Sequence, residues 1–505
     1  MIDFTPVFRP YARRRRAELL REDAPAEQEH QLRLLLARAA DTRFGRDHGF
    51  SSIRTIADFQ RAVPLRRYEA MWAEYWKAPF PVIDDVSWPG RIPFFAVTSG
   101  TATGVTKYIP VSREMNHANT RAGLDVLVHH LAHRPQSRAL GGKSFMLGGS
   151  TALKEHAPGV HSGGLSGIAI RQVPWWLRPF NFPPPGIAAE TDWEKKTDAI
   201  AQAAPAADIR TISGTPPWLL MLFERQRALS GKWGARALYP NLEMMVHGGV
   251  NFKPYRAQFE AFLEGRAELR EVYPASEGFI ALQDETPGDG LRLQCGNGLF
   301  FEFVPLEELD STSPVRHTVA NAETGANYAI VLSTCAGCWA YVIGDTVRFL
   351  TRAPPRILIT GRTSYFVSAV GEHLTGEEIE DAVTAAAAAI GIGATEFSMG
   401  TRFAERRGKA DGHLYVVEFA RHPLAGEEIA RFAALLDARL CELNDDYRTC
   451  RLDASVLSPP EIMTVPKGTF AAWMKARGRL GGQNKIPRVI NDPELFGELV
   501  AFAGR

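Results

Sequence analysis

The chain has 505 residues, too many for one hydrophobic core, and at roughly 100–200 residues per domain about two to four domains are expected. Apolar residues make up 45% and charged residues 23%, the balance of an ordinary globular enzyme, which excludes general disorder. Lys plus Arg number 58 against 57 for Asp plus Glu, and a net charge of +1 supplies no basic field for nucleic acid, so small molecules are the expected partners.

Up to about residue 90 the chain reads as helices with Leu and Ala periodicity, as in "EQEHQLRLLLARAADTRFGRDHGF", closed by Gly45 and Gly49. The basic run Arg13, Arg14, Arg15, Arg16 is followed by Leu19 and Leu20 at helical spacing and reads as a solvated helix face. No stretch approaches the roughly 20 apolar residues that cross a bilayer, and the beginning of the chain carries no apolar leader core, so no membrane partner and a cytoplasmic location are expected. The five cysteines are an odd number in a long chain and read as reduced thiols.

From Phe94 short β-like runs alternate with helices: "FFAVT", "NHANTRAGLDVLVHHLAH", "KSFMLGG", "PPWLLMLFERQRALS", "LEMMVHGG", "KPYRAQFEAFLEG" and "LREVYP". That alternation predicts βαβ units and an α/β sheet. After Gly296, "LFFEFVPLEE", "YAIVLST" and "YVIGDTVRFL" follow with few helices between, which predicts an antiparallel sheet or small barrel. The Pro pair in "TRAPPRILITGR" marks a turn near a boundary. Beyond Arg362, "YFVSAV", "TGEEIEDAVTAAAAAI", "HLYVVEFA", "GEEIARFAALLDARLCELN" and "DASVLSP" predict a compact α+β domain, giving domains 1–361 and 362–505.

The stretch Thr98-Ser99-Gly100-Thr101-Ala102-Thr103-Gly104, ending at Lys107, fits neither the P-loop spacing nor the dinucleotide G-x-G-x-x-G pattern. Chemically it suits a polyphosphate: glycines let backbone N–H groups form an anion nest, hydroxyls donate further bonds and Lys107 adds a point charge. A plain hairpin loop is the structural alternative. "YPASEGFIAL" places Glu277 after an apolar run, beside Ser276 and a glycine, where one carboxylate could hold Mg²⁺ on a nucleotide phosphate. In "CWAYVIGDTVRF", Asp345 follows a glycine at a strand end and could accept both hydroxyls of a ribose, although Gly-Asp also makes an ordinary turn.

The order of these stretches resembles that of adenylate-forming enzymes, and within them the auxin-responsive Gretchen Hagen family of acyl acid amido synthetases. The family's S-S-G-T-S-G loop with its following Lys and Pro is similar to residues 98–103, Lys107 and Pro110, and its Y-x-x-S-E to Tyr273, Ser276 and Glu277. Its A-G-L-Y-R-Y-R-x-G-D is similar to residues 336–345, with both arginines replaced, by Ala340 and Val342. "GTFAAWMKARGRLGGQNKIPRV" looks like the family's terminal G-T-F followed by Q-x-K-x-P-R, here Gln483, Lys485, Pro487 and Arg488.

The resemblance implies an adenylate-forming fold: a large N-terminal domain with α/β sheets and a small barrel, and a small mobile α+β C-terminal domain. It implies ATP and Mg²⁺ as cofactors, a carboxylic acid and an amine, in the family an amino acid, as substrates, and two steps through an acyl-adenylate. Thr98, Ser99, Gly100, Thr101 and Lys107 would hold phosphates, with Ser276 beside Glu277, the metal carboxylate. Tyr273 would flank the adenine together with residues 247–250, which include Gly249 and Val250; Asp345 would hold the ribose, with Arg362 near it and the hinge. Lys485 would be the mobile catalytic lysine, with Lys467 in "VPKGTF" as its rival. Delivery of the acyl group to a thiol, or a nucleotide-binding relative without turnover, are the alternatives, the latter motivated by the two lost arginines.

Other constellations point elsewhere. Cys335-x-x-Cys338 lacks the two further ligands of a zinc site nearby. His129, His130 and His133 share one predicted helix but lack the Glu of H-E-x-x-H, and read as a polar helix face, with Arg121 or His129 as options for a substrate carboxylate. Trp175, Trp176, Phe180 and Phe182 read as core or as an aromatic wall of an acyl pocket. Ser99 lacks the G-x-S-x-G elbow of a hydrolase nucleophile.

Overall fold

A computed structural model describes residues 2–99, 106–173, 175, 177–285, 290–363, 374–402, 412–452, 457–481 and 485–504. In chain order the strands are β1 Phe94–Ser99, β2 Thr106–Val111, β3 Lys143–Leu147, β4 Lys154–Ala157, β5 Val160–Gly163, β6 Asn181–Phe182, β7 Ile209–Gly214, β8 Met244–Gly248, β9 Glu268–Ala275, β10 Gly278–Leu282, β11 Leu291–Leu293, β12 Leu299–Pro305, β13 Asn327–Thr334, β14 Tyr341–Arg352, β15 Pro355–Arg362, β16 Ala394–Arg402, β17 Gly412–Phe419 and β18 Glu461–Val465. Among the described residues they form a four-stranded sheet, β2-β1-β5-β4, an eleven-stranded sheet, β12-β13-β14-β15-β11-β10-β9-β8-β7-β3-β6, and a three-stranded sheet, β16-β17-β18.

The strand–helix alternation read from the sequence occupies one half of the large sheet. There β6, β3, β7, β8 and β9 pair in parallel, and the helices Trp193–Ala203, Pro216–Ser230 and Arg256–Leu263 connect them. From β9 to β12 every pairing is antiparallel. The strands after Gly296, expected as an antiparallel sheet or a small barrel, therefore extend the parallel strands within one hydrogen-bonded sheet.

The N-terminal helices bury their Leu and aromatic faces against β12 to β14: Leu32, Leu36, Phe44, Phe59 and Trp76 share one core with Phe300, Val331 and Trp339. A second core lies between β3, β7, β8 and the three connecting helices. The C-terminal sheet has two cores of its own. On one side lie the helices Gly376–Ala389 and Gly426–Leu443, on the other Thr469–Ala476 and Pro493–Ala503. The first of these helices starts in a capping box, Thr375 with Glu378, and runs into the alanine-rich stretch whose high helix propensity was legible in sequence.

Two strands of the C-terminal region, β16 and β18, escaped the sequence reading, and the expected "YFVSAV" and most of "DASVLSP" lie outside the described residues. Of the arginine run, Arg15 is not on a solvated face: it is held by Asp125 at 2.9 and 2.8 Å, fastening the first helix to the helix Arg113–His133. No helix among the described residues is long and apolar enough to cross a membrane.

Candidate active site

Three neighbouring parallel strands, β3, β7 and β8, run to glycine at the same edge of the sheet. Gly214 closes β7, Gly248 closes β8, and Gly148 follows β3. At Gly248 nothing larger fits, because a Cβ there would sit 2.2 Å from the Val272 carbonyl oxygen. The backbone thus opens a crevice beyond the carboxyl ends of the strands, where α/β sheets bind ligands. A cleft of about 1200 Å³ lies there, between the strand ends and the C-terminal region.

Thr98 and Lys107 are a cross-strand pair of β1 and β2, so the start of the hydroxyl-rich stretch lies on β1 and its closing lysine on β2. Both residues line the cleft. Gly100, Thr101 and the other residues up to 105, with the Ser99 side chain, lie outside the described residues. Lys107 Nζ is 3.1 Å from Glu69 and 4.9 Å from the centre of the Tyr68 ring, a partner set that sequence reading missed.

Ser276 and Glu277 are the two tip residues of the β9–β10 hairpin, held by the Ala275–Gly278 pair. Gly278 has φ 153° and faces Leu299, whose Cδ2 a Cβ would approach to 2.9 Å. Glu277 makes no ion pair among the described residues. Burial pushes its carboxyl up to about 7, and nearby Asp345 adds to the rise while its own backbone N–H, Arg362 and Lys107 oppose it.

Asp345 and Arg362 face each other across β14 and β15, with Arg362 Nε 2.9 Å from Asp345 Oδ1. The hydroxyl of Tyr273, two residues before the end of β9, donates to the other oxygen of Asp345 at 2.5 Å. Burial separates the rest of the motif. Tyr341, Ile343 and Asp345 line the cleft, whereas Ala340 and Val342 are 0% and 6% exposed within the main core, and their backbones hydrogen-bond Arg66. The two positions that lost an arginine belong to the core side.

Gly249, at φ 86°, and Val250 follow β8 into the cleft. A Cβ on Gly249 would sit 3.3 Å from both Cε and Nζ of Lys485, so the C-terminal lysine reaches the glycine turn. Solvent enters around Lys485, yet the protein crowding its ammonium lowers its pKa, with Asp345 opposing and Arg362 adding to that fall. Lys467 is exposed and does not line the cleft. His247, stacked 3.7 Å from Phe252, is buried and its pKa falls to about 3, so it is neutral.

Several expectations are corrected. Arg121 donates to Asn297 Oδ1 and to the Gly296 carbonyl, and neither it nor His129 lines the cleft. His129 and His130 are buried rather than on a polar face; His130 bonds Glu268 at 2.5 Å and Ser137 at 2.9 Å, because the helix lies against the sheet. Phe180 packs on Phe4 and Phe182 on Phe145, so neither forms a cleft wall; Trp175 is 79% exposed and Trp176 lies outside the described residues.

Glu271, half-buried and with its carboxyl pushed up to about 7 by desolvation, lines the cleft two residues before Tyr273 and was missed. The period-2 spacing of Glu271 and Tyr273 on one strand was the available signal. The repeated strand-then-glycine endings in "KSFMLGG", "TISGT" and "VHGG" were the signal for the crevice itself.

A nucleotide with Mg²⁺ suits these residues. The half-buried Glu277 carboxyl would be stabilised in its ionised form by a cation. Among the described residues no group of three His, Cys, Asp or Glu is placed to cage a metal, so phosphates would complete the coordination.

Three matches bear on kinship. Residues 13–197 match the GH3 family N-terminal domain, 293–362 its central domain and 377–494 its C-terminal domain. The chain belongs to the GH3 family. Tyr273 and Glu277 lie between the first two matched stretches. Among curated members, the indole-3-acetic acid-amido synthetase GH3.3 of Arabidopsis thaliana is 25% identical over 270 residues, 50% of this chain and 44% of that protein. The chain spans about half the length of the curated relatives it matches. In fold it resembles the AtGH3.15 acyl acid amido synthetase in complex with 2,4-DB, at TM-score 0.80 and 16% identity over 99% of this chain and 97% of that one. A 2-hydroxyisobutyryl-CoA ligase in its postadenylation state follows, at TM-score 0.62 and 14% identity over 94% and 91%.

Proposed function

We propose that this GH3 family member is an ATP-dependent acyl acid amido synthetase. It adenylates a small carboxylic acid with release of pyrophosphate, then passes the acyl group to an amine, an amino acid by analogy with its named relatives, releasing AMP. The observation that carries this reading is the single cleft shared by Thr98 and Lys107, Tyr273 and Glu277, Asp345 and Arg362, the Gly248–Gly249 turn and Lys485.

Roles follow from chemistry. A carboxylic acid is ionised at neutral pH, so the first step needs no general base, and catalysis is positioning and charge neutralisation. Asp345, oriented by Arg362 and Tyr273, accepts the ribose hydroxyls. Tyr273 and the turn at Gly249 and Val250 flank the base, and Thr98 and Lys107 flank the phosphates. Glu277 holds Mg²⁺, which when bound neutralises phosphate charge. Lys485 brings a cation to the phosphates from the C-terminal side. We take the chain as two domains, 1–361 and 362–505, the second rotating between the steps so that the cleft can admit the amine. A cytoplasmic location is part of the same reading.

The test is product analysis with ATP, Mg²⁺ and a panel of carboxylic acids, offering amino acids in one series and coenzyme A in another. AMP and an amide formed only with amino acids are expected. A thioester in place of the amide would move the assignment to thiol transfer, and no AMP with any acid would overturn it.

A further inference from the structure

The segment that carries Lys485 is fastened to both sides of the cleft. Within the small domain it runs beside β16: Ser398 Oγ donates to the Pro487 carbonyl at 2.6 Å, Met399 N–H to the Arg488 carbonyl at 2.8 Å, and Ile490 N–H to the Met399 carbonyl at 2.9 Å. The Arg488 guanidinium is 7% exposed and donates to Glu380 at 3.0 Å, to Glu396 at 2.6 Å and to the Phe397 carbonyl at 3.1 Å. Its Nη2 reaches out of the small domain, donating to the Tyr255 hydroxyl at 2.8 Å.

Tyr255 is rooted on the other side. It ends the turn Lys253–Tyr255 before the helix Arg256–Leu263, its ring belongs to the core beneath β7 and β8, and it is 2% exposed. Its hydroxyl accepts from Arg488 and donates to Glu396 at 2.8 Å. One phenol thus closes a ring of charge-assisted hydrogen bonds whose other members all belong to the small domain.

We propose that Tyr255 is a positioning residue: by bridging Glu396 and Arg488 it latches the small domain against the large one and holds Lys485, three residues before Arg488, over the cleft for adenylation. This rests on the adenylation reading above. The latch must open for the small domain to rotate, so it acts on the first step and not on the second. It differs from the surface pairs across the same boundary, Lys253 with Asp381 and Lys475 with Glu194, which solvent screens.

Tyr255→Phe removes the hydroxyl and leaves the ring, and Arg488 keeps its bonds to Glu380 and Glu396. Tyr239→Phe is the control, since that hydroxyl bonds Gln226 at 2.8 Å in the same core and crosses no boundary. Three readouts apply: acid-dependent ATP–pyrophosphate exchange, amide formation from a supplied acyl-adenylate, and the radius of gyration by small-angle X-ray scattering of the full chain.

Tyr255→Phe should lower kcat of exchange about tenfold, the loss of one hydrogen bond to charged groups, with KM for ATP little changed. It should leave amide formation undiminished and enlarge the radius of gyration without a matching change in Tyr239→Phe. In a Lys485→Ala background it should add nothing to the loss of exchange. Unchanged exchange and scattering would overturn the latch, as would equal loss in both half-reactions. If the unmodified protein exchanges pyrophosphate with no acid, the adenylation reading fails, and scattering alone still decides whether Tyr255 holds the domains together.

Discussion

Charge in the interior and charge in the cleft are handled differently in this molecule. In the interior Glu302 and Arg316, 0% and 4% exposed by side chain, meet at 2.9 and 2.7 Å, and the remaining donors of Arg316 go to the Gln60 and Val63 carbonyls. Each nitrogen of the Arg316 guanidinium has an acceptor, so the pair is closed to any ligand. In the cleft Glu277 and Lys485 form no ion pair among the described residues; burial raises the Glu277 pKa to about 7, and the protein crowding the exposed Lys485 lowers its pKa. Burial with full pairing is architecture; burial with pairing left over is an invitation to a ligand.

The strand β14 carries both regimes, cleft on one side and core on the other. If that division is right, Val342→Arg puts an unpaired charge into the core and should cost more than about 5 kcal/mol, or prevent folding, as read by thermal unfolding. A folded protein with higher activity would show instead that the lost arginine belonged to the site. Next in size, Arg316→Met strands Glu302 and should destabilise by about 3–5 kcal/mol, with the activity of the remaining folded protein unaltered.

Glu277→Gln inverts that pattern. Unfolding should be little affected below about pH 5 and the variant more stable than the parent at higher pH, while pyrophosphate exchange falls by about 10²–10³, the range for losing a group aimed at transition-state charge. The pH dependence sharpens this. The folded pKa of Glu277, about 7, lies above the ordinary 4.5, so the folded state favours the proton. The contribution of Glu277 to stability is therefore full below pH 4.5 and is lost as pH rises through about 7, relative to Glu277→Gln. Exchange should run the opposite way, rising between about pH 6 and 8 as the carboxylate forms, and the variant should lack that rise. The smallest effect is expected at the exposed Lys467, whose replacement by Ala should change stability by less than about 0.5 kcal/mol and leave exchange intact, whereas Lys485→Ala should depress exchange.

Much of the site was legible because its residues sit where local sequence dictates conformation. Glu277 is at a two-residue hairpin tip marked by Ser and Gly, and Asp345 follows a glycine at φ 90° in a strand whose apolar run is unmistakable. The core-facing position of Val342 was also within reach, since it alternates with Ile343 and Asp345, whereas Ala340 precedes the strand at φ 42°. What sequence could not supply was long-range pairing. Nothing local connects Tyr255 to Arg488, 233 positions apart, or Lys107 to Glu69. The extension of the parallel strands into antiparallel ones within one sheet is likewise set by which edges meet, through β11 pairing with both β10 and β15.

The central claim is that the unpaired charges of the cleft serve adenylation. Acid-dependent ATP–pyrophosphate exchange, run without any amine on the unmodified chain and on Glu277→Gln, addresses it most directly. Exchange that requires a carboxylic acid and collapses in the variant is the expected result. Exchange absent with every acid, or equal in the two proteins, would contradict the account.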